Sequence, residues 1–271
     1  MAYEKKISRQ HPGLIVLVLD DSGSMDENLQ GTSDEKFQWV ERYVGLILKE
    51  LLACSTEVKG DDVVIKPRYY LYVIIYGSNP KVWGNGEMDI EAVVELYTNA
   101  GNSLGLGGHL EGTDTASAMQ MAYDYLKGAV QQERFLDSFP PMMFHLTDGE
   151  SQTDATSSVE QIKDLATSDG NALVVNAYIG THTSLNYQGP EDFPGYVDAN
   201  EAGSSDDNIR MFDMSSKLPA CISQNLVDDG IFPELRDGAR AFFDVRTKEM
   251  LKHVMQVVGS IGSRAERQYA R

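Results

Sequence analysis

Several things are scarce in this chain of 271 residues, and each scarcity excludes something. There are two cysteines, Cys54 and Cys221. Both fall in helix-like patterns and read as buried free thiols, so no disulfide framework is expected and a reducing compartment fits. Basic residues are outnumbered, 23 Lys and Arg against 41 Asp and Glu, for a net charge of −18. Nucleic acids and anionic membranes are bound by neutralising phosphate with Lys and Arg, so neither is an expected partner. No apolar run is long enough to cross a bilayer; the run at residues 14–19 is about a third of the length required. Met1-Ala2-Tyr3-Glu4-Lys5-Lys6 is not followed by an apolar signal region. The expectation is therefore a cytoplasmic protein. The five histidines, at 11, 109, 145, 182 and 253, show no paired ligand spacing. Gly105, Gly107 and Gly108 are followed by no Gly-Lys-Ser/Thr, which removes a P-loop and leaves a flexible glycine loop. No Gly-x-Ser-x-Gly nucleophile turn is present.

Apolar residues make up 42% of the chain, the composition of a globular domain. The continuous apolar run Leu14-Ile15-Val16-Leu17-Val18-Leu19 reads as a strand buried on both faces. Phe37, Val40, Val44, Ile47, Leu48 and Leu51 recur at helical spacing, giving a helix over 35–52. Further strands are expected at 68–76, 142–146, 172–179, 209–214 and 240–245. Helices are expected at 89–97, 115–129, 157–167 and 248–261. The alternation predicts a doubly wound α/β domain, with a mostly parallel central sheet and helices on both faces. No linker divides it, so residues 1–271 form one domain with a core of about 12–262. The polar, Gly-rich stretch 180–208 reads as a mobile surface excursion, and 263–271 as a flexible tail.

The first strand runs into Asp20-Asp21-Ser22-Gly23-Ser24-Met25. Asp20, Ser22 and Ser24 stand at alternate positions of a tight turn, and all three are hard oxygen donors of the kind Mg²⁺ selects. Two further donors follow: Thr113 in Gly112-Thr113-Asp114-Thr115, and Asp148 in Leu146-Thr147-Asp148-Gly149-Glu150. In a parallel sheet the strand ends gather at the carboxyl edge, which would bring these loops to one point. Asp20 and Ser22 could cap a helix start, but capping does not account for Thr113 and Asp148. Asp21 reads as a solvated surface charge, and His145, within a strand, as a satisfied core residue.

In order and spacing these pieces resemble the metal-ion-dependent adhesion site of the von Willebrand factor A family, and the resemblance covers essentially the whole chain. It implies that Ser22, Ser24 and Thr113 offer hydroxyls to a divalent cation, with Asp20 and Asp148 acting directly or through water. Mg²⁺ is the implied ion, with Mn²⁺ and Ca²⁺ as alternatives. A cation held largely by neutral hydroxyls keeps much of its charge and seeks an anionic ligand. The implied function is a non-enzymatic module that captures an Asp or Glu of a partner protein. The Asp-Asp-Ser-Gly-Ser-Met form and the paucity of cysteine resemble intracellular bacterial members, including the tellurium-resistance-associated group. That likeness implies an operon-encoded phosphatase, kinase or ATPase as partner. The rival reading is a metal-dependent hydrolase acting on a phosphoester, which two carboxylates and a divalent cation could support.

Overall fold

The computed structural model describes residues 3–29, 31–60, 62–148, 151–180 and 185–267. In chain order the elements are β1 Gly13–Asp20, α1 Lys36–Ser55, β2 Thr56–Lys59, β3 Asp62–Ile65, β4 Tyr69–Tyr76, β5 Lys81–Val82 and β6 Met88–Asp89. There follow α2 Ile90–Asn99, α3 Thr115–Ala129, α4 Glu133–Leu136, β7 Met142–Thr147 and α5 Thr156–Asp164. The chain ends through β8 Ala166–Thr167, β9 Gly170–Asn171, β10 Leu173–Tyr178, α6 Asp206–Met214, α7 Ala220–Asp228, β11 Phe242–Asp244 and α8 Lys248–Arg267.

The central sheet has the order β11-β10-β7-β1-β4-β5, with β6 also on β4. β1 lies at its centre, parallel to both β4 and β7, and every residue of β1, β7 and β10 is buried. Such strands need apolar side chains on both faces, which is why they read as unbroken hydrophobic runs rather than alternating ones. β5 and β6 are the antiparallel exceptions at one edge. Helices α1, α2, α7 and α8 pack with one another, as do α3, α5 and α6, and the two groups cover the two faces. The fold class is the one expected: a doubly wound, mostly parallel α/β sheet whose strand order turns at β1 and β7.

Four expectations are corrected. Residues 209–214 belong to helix α6, because Asn208, Met211 and Phe212 bury one face at helical spacing. The excursion at 180–208 is packed rather than loose. Tyr187, Phe193 and Tyr196 are buried, and Phe193 touches the rings of Tyr187, Tyr196, Phe232 and Phe243; residues 181–184 lie outside the described residues. Its polar composition hid three well-spaced aromatics. Cys221 is exposed, because Ile222, Ser223 and Leu226 form the buried face of α7 and Cys221 lies beside it; Cys54 is half-buried, and neither cysteine is in a disulfide. Helix α8 continues to Arg267, past the expected end at Ile261 and into the stretch read as a tail; residues 268–271 lie outside the described residues.

The elements end where the site needs them. β1 ends at Asp20, β7 at Thr147, and α3 begins at Thr115. Because β1 and β7 run parallel with Leu19 beside Leu146, the residues that follow each strand emerge side by side.

Candidate metal centre

Asp20 closes β1 in full burial. One carboxylate oxygen accepts the Ser22 N–H at 2.9 Å, and the other accepts the Thr147 hydroxyl at 2.5 Å. The first bond folds the chain back after the strand. The second ties the turn to the end of the neighbouring strand. Burial pushes the Asp20 carboxyl up to about 6, against the lowering effect of its bonds from Thr147 and Ser22, and the nearby Asp148 charge adds to the rise.

The turn then delivers two hydroxyls. Ser22 Oγ lies 3.2 Å from Ser24 Oγ, and Ser24 Oγ donates to Asp148 Oδ1 at 2.8 Å. Ser22, Ser24 and Asp148 are thus a continuous chain of oxygen atoms running from the loop after β1 to the loop after β7. Ser22 and Asp148 are buried, and Ser24 is half-buried.

Thr113 is buried on the same edge, in the loop that opens α3. Its hydroxyl has no protein partner among the described residues. Backbone and side-chain bonds stitch its loop to the one that carries Asp148. Gln152 N–H donates to Thr113 O at 3.2 Å, and Thr153 Oγ1 donates to the Asp114 carboxylate at 2.9 Å. Gly149 and Glu150 of the Asp148 motif lie outside the described residues.

Asp21 is not a solvated surface charge. It is buried, and one of its oxygens accepts the N–H groups of Gly107 and Gly108 at 2.7 and 2.8 Å. Glu41, on α1, takes the N–H groups of Leu104 and Leu106, each at 2.9 Å, and the Ser103 hydroxyl at 3.0 Å. The glycine loop is therefore pinned by two carboxylates of its own chain. Its N–H groups converge on carboxylates, as they would on a phosphate, and the protein itself supplies the anions. Gly108 has φ +62°, and a Cβ there would lie 2.6 Å from Asp26 N, so glycine is required for this approach.

The sequence reading passed over Lys36. Its ammonium donates to Asp148 Oδ2 at 2.6 Å, to Glu27 Oε2 at 2.9 Å and to Ser24 O at 3.2 Å. Burial works to lower the Lys36 pKa, but the bonds to Asp148 and Glu27 outweigh it and hold it above the usual lysine range. Thr147 was also missed, although it stands directly before Asp148; no pattern in the sequence marks Lys36. An open cleft of about 420 Å³ lies against this pair, walled also by Glu27, Leu29, Tyr178 and Arg246.

His145 is the satisfied core residue expected. Asn176 uses its amide hydrogens on Met211 O and Ser215 Oγ, so its oxygen accepts from His145 Nδ1 at 2.9 Å. Nε2 is then left to accept the Tyr76 hydroxyl at 2.7 Å. Burial holds the imidazole neutral, with its pKa lowered to about 4.

The donor set fits a hard divalent cation. Among the described residues no group of three His, Cys, Asp or Glu side chains is placed to hold a metal. Soft or nitrogen-rich coordination is thus not what this edge offers. It offers two carboxylates and two linked hydroxyls, with the buried Thr113 on the same edge, which is oxygen chemistry suited to Mg²⁺, Mn²⁺ or Ca²⁺. A cation already stands against Asp148, the Lys36 ammonium.

No family model matches the chain, and no curated protein does. Among solved structures, the chain is similar to the pilus adhesin SpaC from Lactobacillus rhamnosus GG, with 13% identity and a TM-score of 0.58, over 95% of this chain and 31% of that one. It is also similar to proximal thread matrix protein 1 from the mussel byssus with a zinc-occupied MIDAS motif, with 10% identity and a TM-score of 0.50, over 96% of this chain and 49% of that one. A von Willebrand factor type A protein from Catenulispora acidiphila matches at 17% identity over 63% of this chain and 34% of that one, with a TM-score of 0.40. The chain thus spans about half the length of the byssal protein and less of the adhesin. At these identities the first two likenesses show the fold alone. It is a doubly wound α/β fold.

Proposed function

We propose that this chain is a divalent-metal-dependent, non-enzymatic protein-binding module. In this reading Ser22, Ser24 and Thr113 supply hydroxyls to the cation, and Asp20 and Asp148 supply charge. Mg²⁺ is the ion the donor set favours, with Mn²⁺ and Ca²⁺ as alternatives. When bound, the metal supplies an electrophilic position for a carboxylate oxygen. The chain's own part is to hold the hydroxyls in place. Asp20 and Thr147 fix the turn after β1, and Asp21 and Glu41 fix the loop that leads to Thr113. The partner's contribution is an Asp or Glu side chain entering beside Asp148, through the cleft that Lys36 and Arg246 also line.

One observation carries this reading: the chain of oxygens Ser22–Ser24–Asp148, built from two loops 124 residues apart in sequence and already facing a cation. The zinc-occupied MIDAS motif of the byssal protein, on the same fold, supports it. No helix of the described residues is long and apolar enough to cross a membrane. An intracellular, tellurium-resistance-like role, with an operon-encoded phosphatase, kinase or ATPase as the partner, rests on the sequence resemblance and on two cysteines that form no disulfide. The similar structures, a byssal protein and a pilus adhesin, lend it no support.

The test is capture by the immobilised protein from native lysate under four conditions: Mg²⁺, EDTA, Thr113→Val with Mg²⁺, and Asp148→Asn with Mg²⁺. Proteins retained in the first condition and lost in the other three are the expected result. Identical capture in all four contradicts metal-dependent recognition.

A further inference from the structure

Lys36 is the first residue of α1, where the helix dipole disfavours a positive charge. Nothing in helix formation calls for a lysine here. The side chain instead turns back, so that only 13% of it is exposed, onto an Asp148 side chain that is fully buried. An ammonium has three hydrogens to donate. All three are spent, on Asp148, Glu27 and the Ser24 carbonyl. Asp148 is completed on its other oxygen by Ser24 Oγ. The acidic half of the centre is therefore neutralised by the chain itself.

The placement is built into the fold. Lys36 N–H donates to Glu27 O at 2.9 Å, and Asn28 pairs with Glu35 in an antiparallel bridge. These bonds close the loop between the Ser24 turn and α1, and they fix where the lysine starts. Two of its three acceptors, Ser24 and Asp148, belong to residues that would serve a divalent ion. A second cation beside Asp148 is opposed by the ammonium charge, and it competes for the same carboxylate.

We propose that Lys36 is a resident cation of this centre: it holds Asp148 in the metal-free protein and is displaced from it when a divalent ion binds. The proposal rests on the metal-site reading above and adds to it that metal uptake is an exchange of cations. After release the ammonium remains beside Glu27, whose side chain is 70% exposed, at the mouth of the cleft. Lys36 thereby sets how much divalent ion the site requires.

Two measurements test this on the EDTA-stripped full chain. Calorimetric titration with MgCl₂ and with MnCl₂ compares the wild type with Lys36→Met, which keeps the aliphatic stem and removes the charge. The expected result is binding at least tenfold tighter in the variant. In the wild-type protein, reductive methylation of lysines is followed by peptide mass spectrometry, in EDTA and in saturating MnCl₂. Lys36 should be labelled several times faster with the metal present, while the other lysines are unaffected. This second measurement needs no variant. Equal or weaker metal binding by Lys36→Met, or labelling of Lys36 that the metal does not change, overturns the exchange and leaves the metal site standing. Absence of binding in both proteins overturns the exchange and the metal site together.

Discussion

The Thr147 hydroxyl donates to Asp20 Oδ2 at 2.5 Å, across the ends of two neighbouring parallel strands, with both residues buried. Asp20 is therefore oriented from its own turn and from β7 at once, before any ligand arrives. Thr147→Val preserves shape and deletes the donor. Removing one partner of a buried, charged hydrogen bond costs about 1–3 kcal/mol. Urea unfolding of the variant should show a loss in that range, and Mg²⁺ affinity should fall because the Asp20 carboxylate is free to turn. An unchanged midpoint and affinity would mean that Ser22 alone positions Asp20.

Asp20 and His145 give the metal-free protein a pH dependence with two opposed parts. Burial raises the Asp20 carboxyl from 3.8 to about 6, so the folded state holds a proton that the unfolded state has lost, and stability falls as pH rises across that interval. Burial lowers His145 from 6.5 to about 4, so here the unfolded state binds the extra proton, and stability rises with pH over the same window. Each shift is worth about 3 kcal/mol. Wild-type stability without metal should thus be nearly level between pH 4 and 6. Asp20→Asn removes the falling part, and its stability should rise by about 3 kcal/mol from pH 4 to 6.5. Chemical denaturation at stepped pH measures both, and a level profile in the variant would contradict the His145 assignment.

Asp21 and Glu41 substitute for a bound anion in the glycine loop. Asp21→Ala leaves the Gly107 and Gly108 N–H groups unpaired and should destabilise the fold by about 1–3 kcal/mol. Hydrogen exchange at residues 104–112 should accelerate, and Mg²⁺ binding should weaken through the loosened Thr113 loop. Exchange rates equal to wild type would show that Glu41 holds the loop alone.

The stretch at 185–208 is anchored by Asp244. The hydroxyls of Tyr187 and Tyr196 both donate to one oxygen of this buried carboxylate, and Arg246 Nε donates to the other at 2.7 Å. The described part of the excursion should therefore resist limited proteolysis in the wild type. Asp244→Ala removes the shared acceptor and should make it the first site cut. Cleavage there in the wild type at the same rate would contradict the packed arrangement.

What the sequence made legible follows from where chemistry and periodicity coincide. Strands β1, β7 and β10 announce themselves because burial on both faces leaves room for little but apolar side chains. Helix α3 spans the expected stretch 115–129, and in the fold Asp114 caps it, accepting the Ser117 N–H at 3.2 Å. The hydroxyls and carboxylates of the centre stand out because Asp-x-Ser-x-Ser follows a buried strand. Other features depend on tertiary partners and leave no such trace. Lys36 looks like any lysine at a helix start, and only the fold brings Asp148 to it. Asp21 reads as solvated until the glycine loop folds over it. Helix α6 was misread because its apolar residues lie close together, where strand and helix spacing are hard to tell apart. The aromatics of the excursion are diluted by Gly, Asn and Asp, and composition hid what contacts reveal.

The most direct measurement is anomalous diffraction from crystals of the full chain grown with MnCl₂. One manganese peak is expected at the carboxyl edge of the sheet, with Ser22 Oγ and Ser24 Oγ at about 2.0–2.3 Å, in the range of hard-cation oxygen ligands. Thr113 Oγ1 and the Asp20 and Asp148 carboxylates should lie in contact with the ion directly or through one water. No peak at this edge at millimolar manganese, or a peak only elsewhere on the surface, would contradict the metal site.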